Sequence, residues 1–306
     1  MTDFAAWLLY IVVAGLGRLP WSWLHALGDG LCWLWERLDA REQRVAGRNL
    51  ELAYPDMLPA QRHDLQHVVL RTTARQALET LRLWTRPHVE NLRLIERVEG
   101  RQLLDDAIAT GRGVIIAAPH YGNWELLNQW FANLQPIALL YRPPESAVGE
   151  AFLRRVRADV GDRVTQIRAE GPGIRQLFKL LKAGGMVGIL PDQQPKAGDG
   201  EFAPFFGIDA FTMTLVGRVA ERSAATVLFA YCEQTSSAPR FTLRFEAAPT
   251  GIDSADPLTA TTALNAGVER VARRDPAQYQ WTYKRFKMRP DGSSEPNPYQ
   301  DLEDRR

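Results

Sequence analysis

From about residue 100 the chain alternates short apolar runs with amphipathic stretches: "GVIIAAP" (113–119), "IALLY" (137–141), "MVGILP" (186–191), "TVLFAYC" (226–232) and "FTLRFEA" (241–247). Runs of this length read as strands, and the first three carry no charged residue, so both of their faces must be covered. The segments between and after them, 124–133, 146–160, 171–183, 212–223 and 258–274, read as helices. Strands alternating with helices predict an α/β fold: a central, mostly parallel or mixed sheet flanked by helices. A chain of 306 residues, 45% hydrophobic, is long enough to bury such a core.

Upstream the pattern differs. Residues 40–84 carry apolar positions at three- and four-residue steps, which predicts amphipathic helices split near "YPDMLP". His63 and His67 lie one turn apart there, but HExxH is absent and no third ligand is near in sequence, so they read as a solvated helix face. The first 38 residues are apolar and aromatic, with only Arg18 and Asp29 charged between Phe4 and Trp35. The unbroken run Phe4–Leu16 is shorter than the roughly 20 residues that span a bilayer, and Pro20 interrupts the apolar stretch beyond it. A retained, shallow or tilted membrane-associating segment is expected, since Arg18, Arg37, Arg41 and Arg44 come after the run instead of preceding it. The alternative is a buried N-terminal helical hairpin. The expected organisation is therefore a membrane-associating region over 1–38, an α/β domain over 39–289 (helical 39–97, sheet-containing 98–289) and a loose polar tail over 290–306.

Composition excludes several functions. A net charge of +1 argues against a globally basic nucleic-acid binder, so any anionic partner must meet a local patch. Cys32 and Cys232 stand two hundred residues apart without CxxC spacing, which supports neither a disulfide framework nor a zinc knuckle. GxSxG, GxxxxGK[ST] and a dinucleotide GxGxxG after a strand are all absent, so neither a serine nucleophile nor a nucleotide cofactor is indicated.

The stretch "APHYGNWELL" (118–127) carries the chemistry that remains. His120 sits just beyond the C-terminal end of a buried strand, the edge where open α/β sheets place ligands. Asn123 is a helix N-cap candidate, and Glu125 comes next in the first turn. A carboxylate on one imidazole nitrogen fixes the tautomer and leaves the other free to take a proton. By spacing alone the His120–Glu125 pair is as much a structural hydrogen bond as a catalytic dyad. Arg142 and Asp192 also succeed strand ends and share the same expected rim; in "PDQQP" Asp192 suits a turn equally well. Between 142 and 182 nine Arg or Lys residues face Glu145, Glu150, Asp159, Asp162 and Glu170, an excess that would attract phosphate or an acidic protein, or merely solvate two helix faces. "KRFKMR" (284–289) is a second basic cluster with the same two readings.

Taken in order, "HYGNWE" (120–125), "YRP" (141–143), "RRVRADVGDR" (154–163), "LPDQQ" (190–194), "FAPFFG" (202–207), "AFTMT" (210–214) and "QYQWTYKRFKMRP" (278–290) resemble the bacterial late acyltransferases of lipid A biosynthesis, within the lysophospholipid acyltransferase superfamily. "RNLELAYPDM" (48–57) extends the likeness over most of the chain. The resemblance implies acyl transfer from an acyl carrier protein thioester to a hydroxyl of a phosphorylated glucosamine lipid at the cytoplasmic face of the inner membrane, with no cofactor and no metal. His120 matches the family's catalytic histidine and Glu125 its acidic partner. Arg142, Arg157, Asp192 and Asn123 are then expected around the substrates. "LPDQQ" departs from the usual Asp-Gln-Asp and leaves Gln194 without an assigned part.

Overall fold

In a computed structural model, residues 2–144, 146–157, 163–290, 292–293 and 296–303 are described; Glu145, Asp159 and Asp162 of the basic stretch fall outside them. The sheet has seven strands: β1 (Ile95–Glu99), β2 (Val114–Ala117), β3 (Ile137–Tyr141), β4 (Val164–Arg168), β5 (Met186–Ile189), β8 (Thr226–Gln234) and β9 (Phe241–Ala247). Their order across the sheet is β1-β9-β8-β2-β5-β3-β4. The five strands from β8 to β4 run parallel, and β9 turns back antiparallel to β8 with β1 parallel to it. This is the mixed, mostly parallel sheet that the sequence predicts.

Every residue of β2 and β5 is buried, as their unbroken apolar runs require. Side chains alternate between two cores: Ile115, Ala117, Val187 and Ile189 enter one, Val114, Ile116 and Met186 the other. Helix α7 (Trp124–Leu134) covers the second face, and α9 (Gly171–Lys182) and α10 (Leu215–Ser223) cover the first. Strands β6 (Gly200–Phe205) and β7 (Ile208–Met213) form a separate antiparallel hairpin, which takes up "FAPFFG" and "AFTMT" and delays the expected helix at 212 until Leu215. The short strands β1 and β4 are additions to the sequence reading, since "IERVE" and "VTQIR" carry too many polar residues to stand out as strands.

Helices α1 (Thr2–Leu16) and α2 (Trp21–Arg37) meet at 109° and pack on α4 (Pro59–Thr85); α1 also packs on α8 (Ala147–Arg157). At ~1.5 Å per residue α1 is about 22 Å long against a hydrocarbon core of about 30 Å. No single helix among the described residues is long and apolar enough to cross a membrane, though the bent pair passes on length and composition together. The pair is not a buried hairpin: Phe4, Val12, Trp23 and Trp33 are each more than 60% exposed. Within the polar tail, the Tyr299 side chain is fully buried; its hydroxyl bonds Asn49 and accepts from the Phe286 amide, while Asp301 pairs with Arg48.

Candidate active site

Because β2, β3 and β5 run parallel, their C-terminal ends lie on one edge, and the chain delivers His120, Arg142 and Asp192 there in succession. The loop after β2 is held from two sides. Asn123 N donates to Cys232 O of β8 at 2.9 Å, while Gly122 N donates to Gln278 O and Gln280 N to His120 O, both at 3.0 Å. Gly122 sits at φ +58°, and a Cβ there would lie 2.0 Å from Cys232 O, so only glycine permits the approach that presents His120.

His120 Nδ1 lies 2.8 Å from Asp192 Oδ1, and the His120 amide donates to Asp192 Oδ2 at 2.9 Å. The side chains are 12% and 3% exposed. Burial opposes ionisation of Asp192, but the adjacent His120 and the hydrogen bonds from its ring and backbone amide outweigh it and hold the carboxyl below its ordinary value. An ionised carboxylate only accepts, so the proton belongs on Nδ1 and Nε2 is left as the basic nitrogen. Tyr279 is buried beside the pair; burial and the Asp192 negative charge push its phenol well above the usual range. The ring of Trp124 stands edge-on to the imidazole at 5.0 Å, and Gln193 Nε2 lies 3.4 Å from Nε2.

The carboxylate assigned from spacing is elsewhere. Glu125 is 3% exposed and forms a buried ion pair with Arg157 of α8, and no hydrogen bond or ion pair joins it to His120 among the described residues. The reason is geometric: Glu125 lies in the first turn of α7 and faces α8, whereas the histidine in the preceding loop faces β5. Asn123 takes the N-cap position that the sequence offers it. It is 1% exposed, caps α7 through Leu126 N at 3.1 Å, and does not line the cavity.

Beside His120 opens a cavity of about 810 Å³, within the range of small-molecule sites. Leu139, Leu140, Leu153, Ile174, Met213 and Leu215 supply apolar walls. Arg142, Arg157, Lys196 and Arg218 also line it, opposed by Glu170 and Asp199. Arg142 thus lies where the sequence places it. The basic cluster "KRFKMR" does not behave as one surface: Arg285 is 4% exposed and donates to Phe211 O at 2.7 Å and to Thr212 and Asn265. Cys232 is fully buried, and burial pushes its thiol above the ordinary value, which removes it as a nucleophile. Tyr279, Gln193 and Gln280 join the site without any signal from local spacing, since Tyr279 and Gln280 return from a strap more than 150 residues downstream.

A family model described as bacterial lipid A biosynthesis acyltransferase matches residues 1–288. The chain belongs to this family. It is an acyltransferase by that membership, and curated relatives match it nearly end to end. The lipid A biosynthesis palmitoleoyltransferase of Escherichia coli (strain K12) is 29% identical over 292 residues, 92% of each chain. The lipid A biosynthesis lauroyltransferase of the same strain is 27% identical over 288 residues, 93% of this acyltransferase and 90% of the relative. The myristoyltransferase of that strain is 24% identical over 300 residues, 98% and 92% respectively.

Proposed function

We propose that the protein moves a fatty acyl group from an acyl carrier protein thioester to a hydroxyl of a phosphorylated glucosamine lipid, a lipid A precursor, with His120 as general base. The observation that carries this reading is the buried His120–Asp192 pair presenting Nε2 at the wall of a largely apolar cavity with cationic side chains. The acceptor hydroxyl gives its proton to Nε2 while its oxygen forms the new bond to the thioester carbonyl carbon. The carbon–sulfur bond then breaks, and the proton passes from the imidazolium to the leaving thiolate. A thioester is activated enough for this direct attack, so no enzyme nucleophile is needed. The transient oxyanion falls to donors at the cavity wall, among them Arg142. Arg142, Lys196 and Arg218 suit phosphate or an acidic carrier.

On the same reading the protein works at the cytoplasmic face of the inner membrane, held there by α1 and α2. Helix α1 packs on α8, with Tyr10 beneath the Arg155 guanidinium at 5.0 Å, and α8 contributes Leu153 and Arg157 to the cavity wall. One helix therefore separates the exposed apolar face from the site where a lipid would react. Burying a side chain such as leucine or isoleucine contributes about 1.5–3 kcal/mol. Leu8→Asp and Ile11→Asp, both on exposed residues, should each cut vesicle partitioning roughly tenfold or more, read by co-sedimentation; unchanged partitioning would remove the anchor.

The decisive assay is mass spectrometry of lipid A precursor incubated with the purified protein and a panel of acyl carrier thioesters. A gain of one acyl group is the expected result. Release of free fatty acid with no gain on the lipid would instead make the protein a thioester hydrolase.

A further inference from the structure

We propose that Cys32, Glu36 and His67 form a binding site for one zinc-class divalent ion where α2 packs on α4. In sequence His63 and His67 stand one turn apart with no third ligand; the fold instead brings Cys32 and Glu36 to His67. Helix α2 runs antiparallel to α4, so that Asp29 meets Arg71 and Arg75 while Glu36 meets His67. Cys32 and Glu36, four residues apart on α2, share the face turned to His67.

One ligand atom from each of the three lies within 4.8 Å of the others, a grouping that no other three His, Cys, Asp or Glu residues make among the described residues. Zinc bonds of ~2.3 Å to sulfur and ~2.0–2.2 Å to nitrogen or oxygen place tetrahedral ligand atoms roughly 3.3–3.6 Å apart. To admit the ion, His67 Nδ1 and Glu36 Oε1, now 2.7 Å apart, therefore have to open toward that separation. A thiolate, an imidazole and a carboxylate together suit zinc, whereas calcium and magnesium favour oxygen alone.

Access and anchoring agree with this. Cys32 is 1% exposed, but the His67 side chain is 51% exposed, so an ion can arrive from solvent and keep a fourth position for water. Asp29 is engaged by two arginines at 2.6 to 3.0 Å and so is held out of the ligand set. On binding, the Cys32 thiol passes its proton to solvent. None of the three residues lines the large cavity, so the ion fastens the apolar α2 to the body of the protein and takes no part in acyl transfer.

The test uses the tag-free 306-residue chain, stripped with chelator and titrated with Zn²⁺ by calorimetry and with Co²⁺ by absorption. One equivalent per chain is expected, with a thiolate-to-cobalt band and a raised unfolding midpoint. Cys32→Ser and His67→Ala should each weaken binding on the order of 100-fold or more. The half-exposed position of His67 keeps the second variant informative if the buried serine impairs folding. Uptake of less than one equivalent, a cobalt spectrum without the thiolate band, or affinity unchanged in both variants would each overturn the site.

Discussion

Asp192→Asn should lower kcat by about 10²–10⁴-fold, the range expected of a positioned general base, with little change in KM or in the fold. Asparagine matches aspartate in size, so the 3%-exposed position remains filled. What changes is the tautomer. The carboxylate can only accept, and so keeps the proton on Nδ1, whereas an amide can offer its NH₂ to Nδ1 and favour the proton on Nε2. An imidazole protonated on Nε2 cannot take a proton from a hydroxyl. His120→Ala should lose at least as much, and the two variants should not be additive because they remove one device. The acid limb of stability provides a second readout. The folded Asp192 carboxyl lies below the ~3.9 of an unfolded chain, so its contribution is complete above that value and is lost as pH falls through the folded one. The stability difference between wild type and Asp192→Asn should therefore hold steady above the unfolded value and shrink as pH falls below about 4. Full turnover by Asp192→Asn would remove the pair from the mechanism.

The parts legible in the sequence were those governed by local pattern. Val114–Ala117 and Met186–Ile189 are apolar throughout because both faces of the strands are covered, so their burial and position in the sheet could be anticipated. His120, Arg142 and Asp192 could be placed on one rim because each succeeds a strand end. Partner choice across the fold was not legible. Five-residue spacing drew Glu125 to His120, but α7 turns Glu125 toward α8, and Asp192, 72 residues away, reaches the imidazole first. Strand identity failed where polar residues dilute the pattern, as in "IERVE". Composition also misled in the tail: proline and polar residues suggested looseness around Tyr299, whose side chain is fully buried against Asn49.

Glu125→Gln should destabilise the protein by about 3–5 kcal/mol, the usual consequence of removing one partner of a buried ion pair, and lower the unfolding midpoint by roughly 6–10 °C. The cost arises on the other side chain: Arg157, 19% exposed, keeps its charge and loses its counterion. Arg157→Gln should cost a similar amount, and Glu125→Leu combined with Arg157→Met should recover much of it, since an apolar pair of similar volume often replaces a buried ion pair without loss. Activity should fall in both single variants, because α7 carries Trp124 against the imidazole and α8 carries Leu153 and Arg157 in the cavity wall. The two kinetic losses should be non-additive in a double-mutant cycle. The opposite pattern would be just as distinct. If Glu125→Gln kept the wild-type unfolding midpoint while kcat vanished, Glu125 would act on His120 during turnover, in an arrangement other than the resting one, and the dyad that sequence spacing suggests would stand in place of His120–Asp192.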